Sequence, residues 1–143
     1  MKIIGRLLAC VAFATCLGPA ATANASSTSD LTEVVGTWEG ESICQVANSP
    51  CHHEHVIYEI VKVKEGEAKI DGYKVVNGEK QFMGTLLCGY RSAEHELTCA
   101  PKEGRPSDWR VEIQDETMRG TLVLPENKTP YRKISLKRIR KGA

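Results

Sequence analysis

The stretch GTWEGESICQVANSPCHHEHVIYEI, residues 36–60, decides how the whole chain is interpreted, because it concentrates two cysteines, three histidines and a tryptophan. Such a cluster can be a metal or catalytic site. It can also be the opening strand of a small exported domain, followed by a loop that a disulfide closes. The second interpretation is favoured, because six residues separate Cys44 from Cys51, and zinc-binding cysteines are usually spaced more closely.

Alternation of apolar and polar residues continues along most of the chain. Trp109, Val111 and Ile113 alternate with polar neighbours, and so do Ile134 and Leu136. A period of two residues indicates β-strands, and the chain shows no convincing helical period outside its N-terminus. The predicted strands lie near residues 35–44, 55–64, 67–76, 82–90, 95–100, 108–114, 117–124 and 131–139.

Turn signals separate these segments, and Asn77-Gly78 is a dipeptide typical of a tight hairpin. Short connections make successive strands antiparallel neighbours. A row of such strands has two exposed edges, and closing the sheet into a barrel removes both. The sequence therefore predicts the all-β class and a small eight-stranded antiparallel up-and-down barrel. A two-sheet sandwich is the main alternative.

The N-terminus has the three parts of a secretory signal peptide. Lys2 and Arg6 precede an apolar run over residues 7–17, and Ala23-Asn24-Ala25 forms a small-residue cleavage site. The apolar run is shorter than the roughly 20 residues that a membrane-spanning helix needs. The predicted organisation is a signal peptide over 1–25, a flexible N-terminal lead over 26–34 and a barrel domain over 35–143.

Export predicts a periplasmic or secreted protein. The formal net charge of the chain is +1, and this near-neutral balance argues against a nucleic-acid-binding protein, which needs a strong basic excess. No second hydrophobic span follows the signal, so we expect no membrane span in the mature protein.

Four cysteines remain after the signal: Cys44, Cys51, Cys88 and Cys99. An even number in an exported domain predicts two disulfides, with three connectivities open. Proximity in the sequence favours Cys44–Cys51 and Cys88–Cys99.

Gly36-Thr37-Trp38 resembles the G-x-W opening of lipocalins and related calycins. The resemblance implies a tryptophan inside one end of the barrel and an arginine of the last strand packed over it. Arg138 shares a face with Ile134 and Leu136, so we predict that Trp38 and Arg138 close the barrel. With GTLVLPENKTPYRKISLKR near its C-terminus, the chain resembles small exported lipocalin-like bacterial proteins of unestablished activity.

The histidines are the main candidates for chemistry. His52, His53 and His55 can supply ligands for zinc or copper, but no second ligand cluster accompanies them, so they are weak candidates and no metal is predicted. No sequence motif for an activated nucleophile is present. We therefore predict no catalytic residue, no cofactor and a protein that is not an enzyme.

The barrel interior is the remaining candidate site, because eight strands can enclose one small ligand. The lipocalin resemblance implies a small, mostly apolar ligand held there. The alternative is a protein-binding module, such as a hydrolase inhibitor, that presents the loop over 100–108 with Arg105 at its tip. The side chains predicted to line the interior are those of Trp38, Tyr58, Leu86, Tyr90, Trp109 and Leu122.

Overall fold

Eight antiparallel strands form a closed barrel in the computed structural model, which describes residues 30–142. The predicted signal peptide over 1–25 lies outside the described residues. The strands pair in chain order, and β8 closes the sheet by pairing with β1. The strands are β1 (Gly36–Cys44), β2 (Glu54–Lys64), β3 (Glu67–Val76), β4 (Glu79–Arg91), β5 (Glu96–Pro101), β6 (Asp108–Gln114), β7 (Thr117–Val123) and β8 (Pro130–Lys141).

This architecture confirms the predicted all-β, eight-stranded barrel over the two-sheet sandwich. The strand bounds differ most at β4, which begins three residues earlier than expected. The reason is the turn before it: Asn77 and Gly78 both have positive φ, at 53° and 81°, and such a two-residue turn lets the strands pair immediately on either side.

The described part of the predicted N-terminal lead contains a short helix. Residues Leu31–Glu33 form a short 3₁₀ helix, capped by Asp30, whose side chain accepts a hydrogen bond from the Thr32 amide at 2.9 Å. Leu31 and Val34 are fully buried in the core. The segment is ordered because these two apolar side chains cover one end of the barrel, which outweighs the polar character of their neighbours.

Both predicted disulfides are present. Cys44–Cys51 closes the loop between β1 and β2, and Cys88–Cys99 joins β4 to β5 at a directly opposed pair of positions. Cys88 and Cys99 are buried and belong to the core, so the second disulfide faces the barrel interior.

Inward-facing side chains from all eight strands form one buried core. Gly120 of β7 is one place where no side chain fits, because a Cβ there would overlap the carbonyl oxygen of Arg110 and lie 2.9 Å from the Cα of Val111. The core includes Trp38, Val56, Ile60, Ile70, Leu97, Val111, Met118, Ile134 and Leu136.

Candidate functional site

One end of the barrel is closed by the 3₁₀ helix and by a stacked pair of side chains. Trp38 is fully buried, and its indole nitrogen donates a hydrogen bond to the Val34 carbonyl at 2.8 Å. The Arg138 guanidinium lies over the indole ring, 4.6 Å from the ring centre. These are the two residues that the lipocalin resemblance put forward for barrel closure, and the structure brings them into contact.

The opposite end is open and contains a cavity of about 320 Å³, which we call the cup. This volume is at the lower end of the range for small-molecule sites, roughly 300–1,000 Å³. All eight strands contribute residues to its wall. The side chains lining it include Ser42, Glu54, Tyr58, Ile70, Met83, Thr85, Leu86, Ser107, Trp109, Leu122 and Arg132.

The wall of the cup is apolar on most of its inward-facing strand positions. Tyr58 and Trp109 meet edge to face, with ring centres 6.3 Å apart, a favoured geometry for aromatic pairs. Leu86 and Leu122 complete this wall. Tyr58 is buried, and the loss of water around its hydroxyl raises the pKa of Tyr58 well above its ordinary value, so the phenol remains neutral.

A charged cluster lies among these apolar groups. Nη1 of Arg132 donates hydrogen bonds to Oγ of Ser42 at 3.0 Å and to its carbonyl oxygen at 3.3 Å. The same Nη1 lies 3.2 Å from Oε2 of Glu54. Ser42 is buried, and both charged side chains are largely shielded from water, with 13% and 24% of their surfaces exposed. The cup is therefore amphipathic.

The loop between β5 and β6 forms part of the rim. Glu103 and Arg105 border the cup, and Ser107 at the end of the loop is buried. Arg105 forms an ion pair with Glu126 in the connection between β7 and β8. This ion pair joins two loops at the mouth of the cup.

The structure brings four of the predicted interior residues together in the cup: Tyr58, Leu86, Trp109 and Leu122. Trp38 and Tyr90 also face inward but do not line it. β1 runs from the closed end towards the cup, so Trp38 lies near its start. β4 runs the other way, so Leu86 reaches the cup while Tyr90 is buried further along the strand.

The sequence analysis missed the polar members of the cup: Ser42, Glu54 and Arg132. The signal that could have found them is strand parity. Arg132 shares the inward face of β8 with Ile134 and Leu136, and Ser42 shares that of β1 with Trp38. A polar residue at such a position points into the barrel.

The three weak metal candidates do not come together. His53 accepts a hydrogen bond at Nδ1 from the Cys44 amide at 3.1 Å. His55 lies on the outer face, with Nε2 2.7 Å from Glu39 and Nδ1 2.9 Å from Glu41. His52 is exposed in the loop. No cluster of three metal-ligating side chains occurs among residues 30–142.

A second and larger concavity, about 780 Å³, lies beside the 3₁₀ helix at the closed end. It lies against strand ends and the charged side chains of Lys62, Arg140 and Lys141. The cup is the stronger candidate for a ligand site, because its apolar and polar side chains converge from the inner faces of several strands.

In the part of the chain described here, no helix is both long and apolar enough to cross a bilayer. Comparison of the chain with protein-family models and with curated proteins gives no match. The class that the geometry defines is a closed antiparallel β-barrel with two disulfides and one open end.

Proposed function

We propose that this protein is an exported, lipocalin-like barrel that binds a small, mostly apolar ligand in the cup. The observation that carries the proposal is the cavity of about 320 Å³ at the open end of the barrel, with aromatic and aliphatic side chains on its wall. The contact between Trp38 and Arg138 supports the lipocalin-like assignment. It leaves the opposite end as the entrance.

The two disulfides are consistent with a periplasmic or extracellular location, because such compartments are oxidising. The finer assignment, export through a cleaved signal peptide, belongs to the proposal. Sequencing the N-terminus of protein recovered from its own source tests it, and a mature chain that still begins at Met1 would contradict it.

Binding of N-phenyl-1-naphthylamine, a neutral apolar fluorophore, tests the ligand site. Leu86→Trp places a large ring in the cup and should strongly weaken binding. Leu87→Trp is the matched control, because Leu87 is the next residue of β4 and its side chain is 49% exposed. If both variants bind the fluorophore as the wild-type protein does, the cup is not the site.

The second candidate is a protein-binding module, such as a hydrolase inhibitor. It is favoured by the exposure of residues 102–106 at the rim, where Arg105 is held by its ion pair with Glu126. Titration against a panel of purified hydrolases tests this function. An inhibitor that uses the loop should lose inhibitory activity with Arg105→Ala and keep it with Leu86→Trp. Inhibition that is unchanged by Arg105→Ala would exclude the loop.

A further inference from the structure

Arg132 is an unusual residue to find inside a small barrel. It lies near the start of β8 and pairs with Leu122 of β7, and its side chain is only 13% exposed. Taking a charged group out of water is costly unless it is paired and hydrogen-bonded. The cup contains such a group at the same depth as its apolar wall.

The partners of Arg132 occupy one side of the guanidinium. Both hydrogen bonds to Ser42 start from Nη1, and the closest approach of Glu54 is to the same atom. Within residues 30–142, neither Nε nor Nη2 donates a hydrogen bond to another residue. An arginine carries five N–H donors in a planar fork, so donors remain for a ligand that enters the cup.

We infer that the cup recognises an amphipathic carboxylic acid, whose carboxylate binds Arg132 and whose apolar body lies against Tyr58, Leu86 and Trp109. This inference rests on the proposed function and names its ligand class. A carboxylate matches the planar fork of a guanidinium and can accept two parallel hydrogen bonds from it. Shielding from water strengthens that contact relative to the same contact in solution.

In this arrangement Glu54 competes with the ligand carboxylate for Arg132. It partly neutralises Arg132 when the cup holds no acid, which lowers the cost of keeping the guanidinium shielded from water. With 24% of its side chain exposed, Glu54 is the more exposed partner and can turn towards the mouth when a second carboxylate arrives. At the rim, Arg105 is already paired with Glu126, and Glu103 adds a second carboxylate. These three residues carry one net negative charge, so the attraction for a ligand carboxylate has to come from Arg132.

The test compares two ligands of equal chain length, decanoate and decan-1-ol, by displacement of N-phenyl-1-naphthylamine. We expect the wild-type protein to prefer decanoate. Arg132→Met should weaken decanoate by about ten-fold or more, as expected for loss of a charge-assisted hydrogen bond, and should weaken decan-1-ol much less, because a hydroxyl carries no charge. Glu54→Gln should strengthen decanoate selectively, because it removes the competing charge.

The outcomes separate this inference from the proposed function. If the wild-type protein binds neither the fluorophore nor decan-1-ol, the proposed function fails. If the two ligands bind equally well and neither substitution changes their ratio, the carboxylate inference fails while the proposed function stands. Should Arg132→Met not fold, Glu54→Gln decides alone: an unchanged ratio of decanoate to decan-1-ol affinity overturns the inference.

Discussion

Replacing Arg138 by methionine should destabilise the barrel through its closed end. Only 4% of the Arg138 side chain is exposed, and it stacks on Trp38. A shielded cation–π contact is worth up to about 2 kcal/mol. The guanidinium also donates to the carbonyl oxygens of Thr32, at 3.3 Å, and Glu33, and hydrogen bonds from charged groups contribute about 1.5–3 kcal/mol each. Its ion pair with Glu116, at 3.1 Å, contributes less to stability, because the Glu116 side chain is 56% exposed to solvent.

Methionine restores part of the apolar packing over the indole, so the contributions do not sum in full. We expect Arg138→Met to lower the free energy of unfolding by about 3 kcal/mol, a large part of the roughly 5–15 kcal/mol that stabilises a domain. Urea unfolding of the oxidised protein, followed by tryptophan fluorescence, measures the change. Arg119→Met makes the same loss of charge at an exposed position of β7 and should change the free energy by less than about 0.5 kcal/mol. Equal effects of the two substitutions would refute the closing role of Arg138.

Three further changes test other parts of the structure. The buried hydroxyl of Tyr90 has no hydrogen-bond partner among the described residues. Tyr90→Phe should therefore leave the free energy of unfolding in urea unchanged or raise it by up to about 1 kcal/mol. A clear loss of stability would show that the hydroxyl forms a hydrogen bond after all. Gly120→Ala forces a Cβ against the backbone of β6 and should lower the midpoint of thermal unfolding, by a loss of about 1–3 kcal/mol; an unchanged midpoint would show that β6 and β7 separate easily. Hydrogen bonds to Glu41 and then Glu39 raise the pKa of His55 above 6.5, so its stabilising effect is complete below about pH 6.5 and is lost as the pH rises through the higher folded-state pKa. His55→Gln should flatten that part of the stability–pH curve, and a curve of the same slope as the wild-type one would contradict this role.

Local patterns were sufficient to predict the fold. The alternation around Trp109 and the Asn77-Gly78 turn each depend on a few neighbouring residues, and antiparallel neighbours need little else. The short helix that places Leu31 and Val34 in the core was not predicted, for a different reason. A short polar segment with two apolar residues looks flexible by itself. Burial of those residues becomes favourable only because the segment packs against the core at the closed end of the barrel.

The residues that line the cup were harder to predict. A side chain lines it only if it lies on the inner face of its strand and also near the open end of the barrel. Parity places Trp38, Tyr90 and Arg132 inside the barrel, but strand direction and tilt decide which end each one reaches. The charged pair of Arg132 and Glu54 was missed for a second reason. Their partnership joins the second strand to the last, and no local pattern relates positions so far apart in the sequence.

The order of strand pairing has a consequence for how the chain folds. In the described chain, every strand pairs with its successor, and the one long-range pairing is between β1 and β8, where Gly36 lies opposite Lys141. Bringing such distant segments together costs more chain entropy than forming a hairpin, and topologies with non-local contacts fold more slowly. We therefore expect joining of the first and last strands to limit the rate of refolding.

Until that step, β8 pairs only with β7, and a strand of a second molecule could pair with its free edge. Its outward positions include Lys133 and Lys137, both exposed, and lysines at a strand edge oppose such addition. We therefore expect the basic character of the last strand to protect the partly folded chain against self-association during refolding. The yield of monomer at increasing protein concentration would reveal that protection, since replacing these lysines by threonine should lower it.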